Sequence, residues 1–167
     1  MDEQTKGAIG ASNPTAVERR GDRELVITRL FDAPPPLVFR AWSEAALFRR
    51  WWVPQSVTGM SLVGCDMDVR TGGKYRLEFS FGGAETMAFY GKYLDVVPNE
   101  RIVWTNDEEE DGAITTVTFE AHGSQTLVTF HESYPSAAAL EEALQGSAAG
   151  LSEQLGQLAE LLAEMNG

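Results

Sequence analysis

Few side chains in this sequence are placed to do chemistry, and the best placed is Glu132. It follows Val128 and Phe130 at alternating positions of a strand-like run, which puts a carboxylate on their apolar face at the rim of any cavity there. Buried and unpaired, such a group holds its proton more tightly and can act as an acid or a base. The strand is ending at that point, so the expectation is a solvated Glu132. His131 points to the opposite face and His122 sits beside a turn; both are expected to be exposed and without partners. The single cysteine, Cys65, alternates with Val63 and Met67, the pattern of a buried structural thiol rather than a nucleophile. Two histidines so placed and one cysteine offer no metal-ligand spacing. No nucleophile elbow occurs. Gly72-Gly73 and Gly82-Gly83 lie between strands, not between a strand and a helix as a phosphate loop would. Asp107–Asp111 matches a calcium loop in charge alone. Asp68 and Arg70 read as a structural pair supporting a hairpin. No catalytic residue, metal or cofactor is assigned, and the chain leans away from being an enzyme.

What remains is an aromatic wall. Tyr75, Leu77 and Phe79 alternate with Lys74, Arg76 and Glu78, the clearest period-two segment of the chain. Trp104, Phe119 and Phe130 fall on the same face by the same alternation, and Phe89 and Tyr93 join them. Leu151, Leu155 and Leu158 would face this wall from a helix. An apolar cavity with a few polar groups suits a small hydrophobic or aromatic ligand. These rings could instead simply fill the core. A curled sheet and one helix seldom fill the volume they enclose, so a cavity is the expectation.

The elements that must position these residues are legible. Leu144, Ala148, Leu151, Leu155, Leu158, Leu162 and Met165 step by four and three, an apolar stripe on one long helix spanning Ser136 to Met165. Gly146, Gly150 and Gly156 each cost that helix about 1 kcal/mol relative to alanine, and no Lys or Arg supports it, so it must be held by packing. Glu24–Phe31 reads as a half-buried strand. Three prolines at 34–36 open a short helix, and Ser43 is expected to cap a second one that Pro54 ends. Strands follow over 57–69, 74–81, 86–97, 101–106, 113–121 and 125–134, with turns at the two Gly-Gly pairs, Pro98-Asn99 and Gly123-Ser124. The fold class is α+β: β-α-α-β₆-α, a curved antiparallel sheet wrapped around a long C-terminal helix.

Hydrophobic content of 43% and 167 residues suit one domain, expected over residues 23–167. Residues 1–22, rich in small and polar types, are expected to be a flexible N-terminal arm without the apolar core of a signal peptide. No apolar run reaches the roughly 18 residues of a membrane span. The net charge of −12 is uneven: Lys and Arg balance Asp and Glu up to Arg101, and none of the 13 basic residues lies beyond it. That acidic third would repel nucleic acid or an anionic membrane, and reads as a solubilising face or a dock for a basic protein partner. A single cysteine fits a cytoplasmic location.

Several segments resemble one family. Leu47-Phe48-Arg49-Arg50-Trp51-Trp52-Val53-Pro54 is similar to the Leu-x-x-Trp-Trp-x-Pro element of the activator of heat-shock protein 90 ATPase homologue-like branch of the SRPBCC superfamily, which has the START-like helix-grip fold. Asp68-Val69-Arg70-Thr71-Gly72-Gly73-Lys74-Tyr75 resembles its Asp-x-Arg-x-Gly-Gly-x-aromatic hairpin. Tyr90-Gly91-Lys92-Tyr93 and Val97-Pro98-Asn99-Glu100-Arg101-Ile102-Val103-Trp104-Thr105 resemble its next two strands. The match runs from about residue 24 to the end. One departure is Gly150-Leu151, where the family often has Gly-Trp, which would widen that part of the cavity. The resemblance implies the fold and a ligand cavity. It also implies two alternative roles: a stress-related co-chaperone binding a chaperone, or a cyclase- or hydrolase-type enzyme. The last requires Glu132 or Tyr93 inside the cavity.

Overall fold

The computed structural model describes residues 15–108, 112–145 and 150–166. Eight strands form one antiparallel sheet: β1 (Ala16–Arg20), β2 (Glu24–Phe31), β3 (Ser61–Met67), β4 (Lys74–Ser80), β5 (Thr86–Val97), β6 (Arg101–Thr105), β7 (Ile114–His122) and β8 (Gln125–Ser133). Their spatial order is β1-β2-β8-β7-β6-β5-β4-β3. Among the described residues four helices accompany them: α1 (Pro35–Ser43), α2 (Ala45–Phe48), α3 (Ala137–Gln145) and α4 (Leu151–Asn166). The α+β helix-grip architecture is present, with local corrections.

First, residues 16–20, expected within a flexible arm, form a strand. Ala16–Arg20 pair in register with Glu24–Thr28 as edge strand β1, and Arg19 reaches Glu141 of α3 at 2.7 Å. Polar composition concealed the strand because its side chains are exposed on both faces. Residues 1–14 lie outside the described ones. Second, the terminal helical segment is described as α3 and α4; residues 146–149, including the expected stripe member Ala148, lie outside the described residues. Third, Val63 does not share a face with Cys65 and Met67. The register shifts between Leu62 and Gly64, so Val63 bulges outward, 53% exposed, while Cys65 pairs with Leu77 and Met67 with Tyr75.

Prolines at the first turn start α1 without losing a needed N–H, since the first amides of a helix have no internal acceptor. α2 follows from Glu44 with no side-chain cap, so Ser43 closes α1 rather than opening α2. Two glycines in the family-like motifs are there for space. A Cβ on Gly91 would sit 2.1 Å from the Thr105 carbonyl oxygen, and one on Gly73 2.0 Å from that of Asp68; both contacts are with backbone that cannot swing away. Asn99 takes φ 67° at the Pro98-Asn99 turn, a conformation asparagine tolerates.

The core lies between the concave face of the sheet, α1 and α4. Leu25, Ile27 and Phe31 of β2 meet Leu155, Leu158 and Leu162 of α4, all buried. α4 rests against α1 and β2. It is also clamped by its polar side chains. Gln157 Nε2 donates to the carbonyls of Trp51 (2.9 Å) and Val53 (2.8 Å), and its Oε1 accepts from the Gln55 amide at 2.8 Å. Gln154 donates to the Trp52 carbonyl, and Glu153 accepts from the Ser56 amide at 2.9 Å. These bonds satisfy backbone groups left open where the chain leaves α2. The marginal helix therefore gains partners beyond its apolar stripe. Even Glu164, unfavourable at a helix C-terminus, meets Arg50 at 2.8 Å.

Candidate functional site

The sheet and helices do not fill the space they enclose. A cavity of about 630 Å³ lies between β4–β6, the end of β8, α1, α3, the first turn of α4 and the segment from Phe48 to Met60. That is within the roughly 300–1,000 Å³ of small-molecule sites. Its floor is aromatic: Trp42 lies 6.2 Å from both Trp104 and Phe130, Tyr75 lies 5.6 Å from Tyr93, and Phe79 meets Phe89 edge-on at 5.5 Å. Phe48 stacks on Trp52 at 4.7 Å and closes one side. Phe89, Val57 and Glu142 keep exposed surface and mark the mouth. The Trp42 indole N–H is buried and has no hydrogen-bond partner among the described residues.

Of the wall residues expected from sequence, Tyr75, Leu77, Phe79, Phe89, Tyr93, Trp104, Phe130, Glu132 and Leu151 border this cavity. Phe119, Leu155 and Leu158 do not. α1 covers that part of the sheet, and Phe119 packs edge-on against Phe39 at 5.7 Å. Leu155 and Leu158 lie one and two turns further along α4, where the helix is pressed onto β2 and α1. Alternation and helical periodicity give the face of a residue but not whether the space opposite is occupied. Trp42, Trp52, Met60, Gln154 and the α3 residues Ala139 and Ala143 were not anticipated. The proline-ended Trp-Trp segment stands out in sequence as a family-like motif, but its folding back over the sheet depends on the clamp from Gln157.

Glu132 corrects the expectation of a solvated carboxylate. Its Oε2 accepts from Thr115 Oγ1 at 2.9 Å and its Oε1 from the Tyr134 hydroxyl. Asn106 Nδ2 extends the chain of polar groups, donating to Thr115 Oγ1 at 3.2 Å and to the Ala113 carbonyl at 2.7 Å. Glu132 is half-buried and is a lining residue of the cavity. Burial raises its pKa; the hydrogen bonds from Tyr134 and Thr115 and the charge of His131 pull the other way without cancelling it. A carboxyl so placed, beside a phenol, can donate or accept a proton from a bound molecule. Burial also pushes the Tyr75, Tyr93 and Tyr134 hydroxyls up, so they stay protonated as donors. Tyr75 donates to the Thr105 carbonyl at 2.6 Å.

The remaining chemistry-bearing residues lie elsewhere. His131, on the opposite face, does have a partner: its Nε2 is 2.8 Å from Glu24 Oε1. Cys65 is half-buried and its thiol is pushed up by burial, which suits a structural role. Asp68 and Arg70 pair at 2.9 Å in an exposed turn. Among the described residues no group of three His, Cys, Asp or Glu converges to hold a metal ion, and no helix is long and apolar enough to cross a membrane. A second depression, about 500 Å³, lies among Asp66, Lys74, Arg76, Lys92 and Asp107; it is shallower and carries both signs of charge.

With this geometry established, the comparisons decide the family. Residues 32–163 match the family described as "Activator of Hsp90 ATPase homolog 1-like protein". The chain belongs to that family. The structure is similar to that of a Nitrosomonas europaea protein (21% identity, TM-score 0.79, covering 89% of this chain and 99% of that one). It is also similar to a Rhodobacter sphaeroides protein (18%, 0.81, 90% and 99%) and to a Mycobacterium smegmatis protein (26%, 0.76, 91% and 99%). No curated protein matches the chain. Membership makes sense of the Trp-Trp segment and the two Gly-bearing hairpins: the first covers the cavity, and the others need close backbone approach.

Proposed function

We propose that this member of the family binds a small hydrophobic or aromatic molecule between the sheet and the start of α4. The observation that carries this reading is the unfilled, aromatic-walled cavity of about 630 Å³, reached through a mouth at Phe89, Val57 and Glu142. A core of this size ordinarily packs to near-crystalline density, so so large a void is costly unless it is occupied in use. The lining places its few polar groups, Glu132, Tyr134, Asn106 and Gln154, around a mostly apolar wall, the division of labour a small-molecule site needs. The test is a fluorescence titration with the neutral probe N-phenyl-1-naphthylamine, alongside thermal unfolding. Saturable one-to-one binding with a raised unfolding midpoint is expected. Non-saturable binding with no thermal shift refutes the reading.

A second reading, a chaperone-interacting module, is favoured by the family description itself and by exposed acidic side chains such as Glu120, Glu141 and Glu160. Its test is stimulation of a heat-shock protein 90 ATPase at low salt. No stimulation and no binding removes it.

A further inference from the structure

We propose that the molecule held in this cavity is a hydrophobic amine: an apolar, preferably aromatic body carrying one protonated nitrogen that pairs with Glu132. This rests on the cavity being a ligand site, as proposed above. Among the described residues the charged groups of the lining are Glu132, Glu108 and Glu142, with no Lys, Arg or His. All three come from the part of the chain after Arg101, which contains no Lys or Arg at all. The acidic third that reads in sequence as a solubilising face therefore sends three carboxylates to the one large apolar cavity described.

The three differ in depth. Glu142 is exposed at the mouth, and Glu108 is half-buried and accepts from the Tyr90 amide at 2.8 Å. Glu132 lies within, fixed by Thr115 and Tyr134. Both partners donate to it, so each carboxylate oxygen has one lone pair directed at protein and another remaining for a ligand. A carboxylate ligand would bring a further negative charge into low dielectric against three others, with no cation to answer it. A neutral ligand would leave the burial cost of Glu132 unrelieved. An ammonium relieves it by forming an ion pair with the carboxylate, the form that burial alone disfavours. The remaining wall contains Trp42, Trp104 and Tyr93, the ring types with which a cation pairs favourably.

The experiment uses three probes with one hydrophobic body: 1-naphthylmethylamine, 1-naphthylmethanol and 1-naphthylacetate, titrated calorimetrically into the full chain. The amine is expected to bind about tenfold tighter than the alcohol, and the acid weakest, as a charge-assisted bond in a partly dry site implies. Glu132→Gln should abolish the amine's advantage over the alcohol. Should that variant fold poorly, Glu142→Gln on the surface is expected to weaken the amine alone, by about twofold. Equal or tighter binding of the acid, or an amine preference untouched by both variants, overturns the amine assignment and leaves the cavity reading standing. Failure of all three probes to bind overturns both.

Discussion

The concave face of the sheet has two ends that look alike in sequence and behave differently in space. At one end Phe31, Phe119, Leu155, Leu158 and Leu162 are fully packed among β2, β7, α1 and α4. At the other, Tyr75, Phe79, Trp104 and Phe130 face a void. Both are built from alternating large apolar residues. The difference is what covers them. The length of α4 and most of α1 lie on the first end, while the second is roofed by the first turn of α4, α3 and the segment from Phe48 to Met60, with Trp42 of α1 at its floor. A strand pattern makes a wall, and a second layer is needed to turn that wall into core.

The sharpest way to break this comparison is to cut one leucine at each end. Leu158→Ala, with no exposed surface, should cost about 2–5 kcal/mol in urea unfolding, because it opens a new hole in packed surroundings. Leu151→Ala, which merely enlarges an existing void, should cost clearly less. Equal costs would mean that the cavity end is as tightly packed as the other. Next in size is the link between the two ends. Gln157→Ala removes the donor to two carbonyls of the Trp51–Val53 segment and should lower stability by about 1–3 kcal/mol. It should also loosen the cavity roof, seen as faster amide exchange at Trp52 and Gln55. Loss of stability with unchanged exchange there would show the clamp to be incidental to the roof.

Filling the void comes third. Leu151→Trp puts a large ring into the cavity and should weaken N-phenyl-1-naphthylamine by about tenfold or more with little change in stability. Unchanged affinity would place the probe elsewhere. The smallest effect is electrostatic. The pKa of Glu132 is raised in the folded state, so the folded chain holds that proton more tightly than the unfolded one. Its favourable contribution is complete below the ordinary carboxylate range and is lost as pH rises through the raised value. From about pH 4 to about pH 8, the unfolding midpoint of the native chain should therefore fall relative to that of Glu132→Gln. A difference independent of pH would return Glu132 to bulk solvent.

How much of this was legible in sequence follows from the range of the interactions involved. Strand alternation from Lys74 to Ser80, the Gly-Gly turns and the Pro34–Pro36 helix start were readable, because each is set by neighbours a few residues apart. The family-like motifs located the hairpins for the same reason. The bulge at Val63 escaped notice, since register is decided by the partner strand β4. β1 was hidden because an edge strand with exposed side chains leaves no hydrophobic pattern. His131 was expected to lack a partner, yet Glu24 is supplied by β2, 107 residues away in sequence.

From spacing and composition alone come the succession of elements from β2 to β8, the inward-facing set of aromatics and the placement of every Lys and Arg before residue 102. Those are properties of local spacing and of composition. Tertiary structure alone decided which aromatics are core and which are cavity wall, and it turned Glu132 from a strand-end carboxylate into an interior one. The reason is physical: emptiness and desolvation depend on what the rest of the chain places opposite a side chain, and helix α4, held by Gln157 and its leucines, is placed by contacts more than 100 residues distant in sequence.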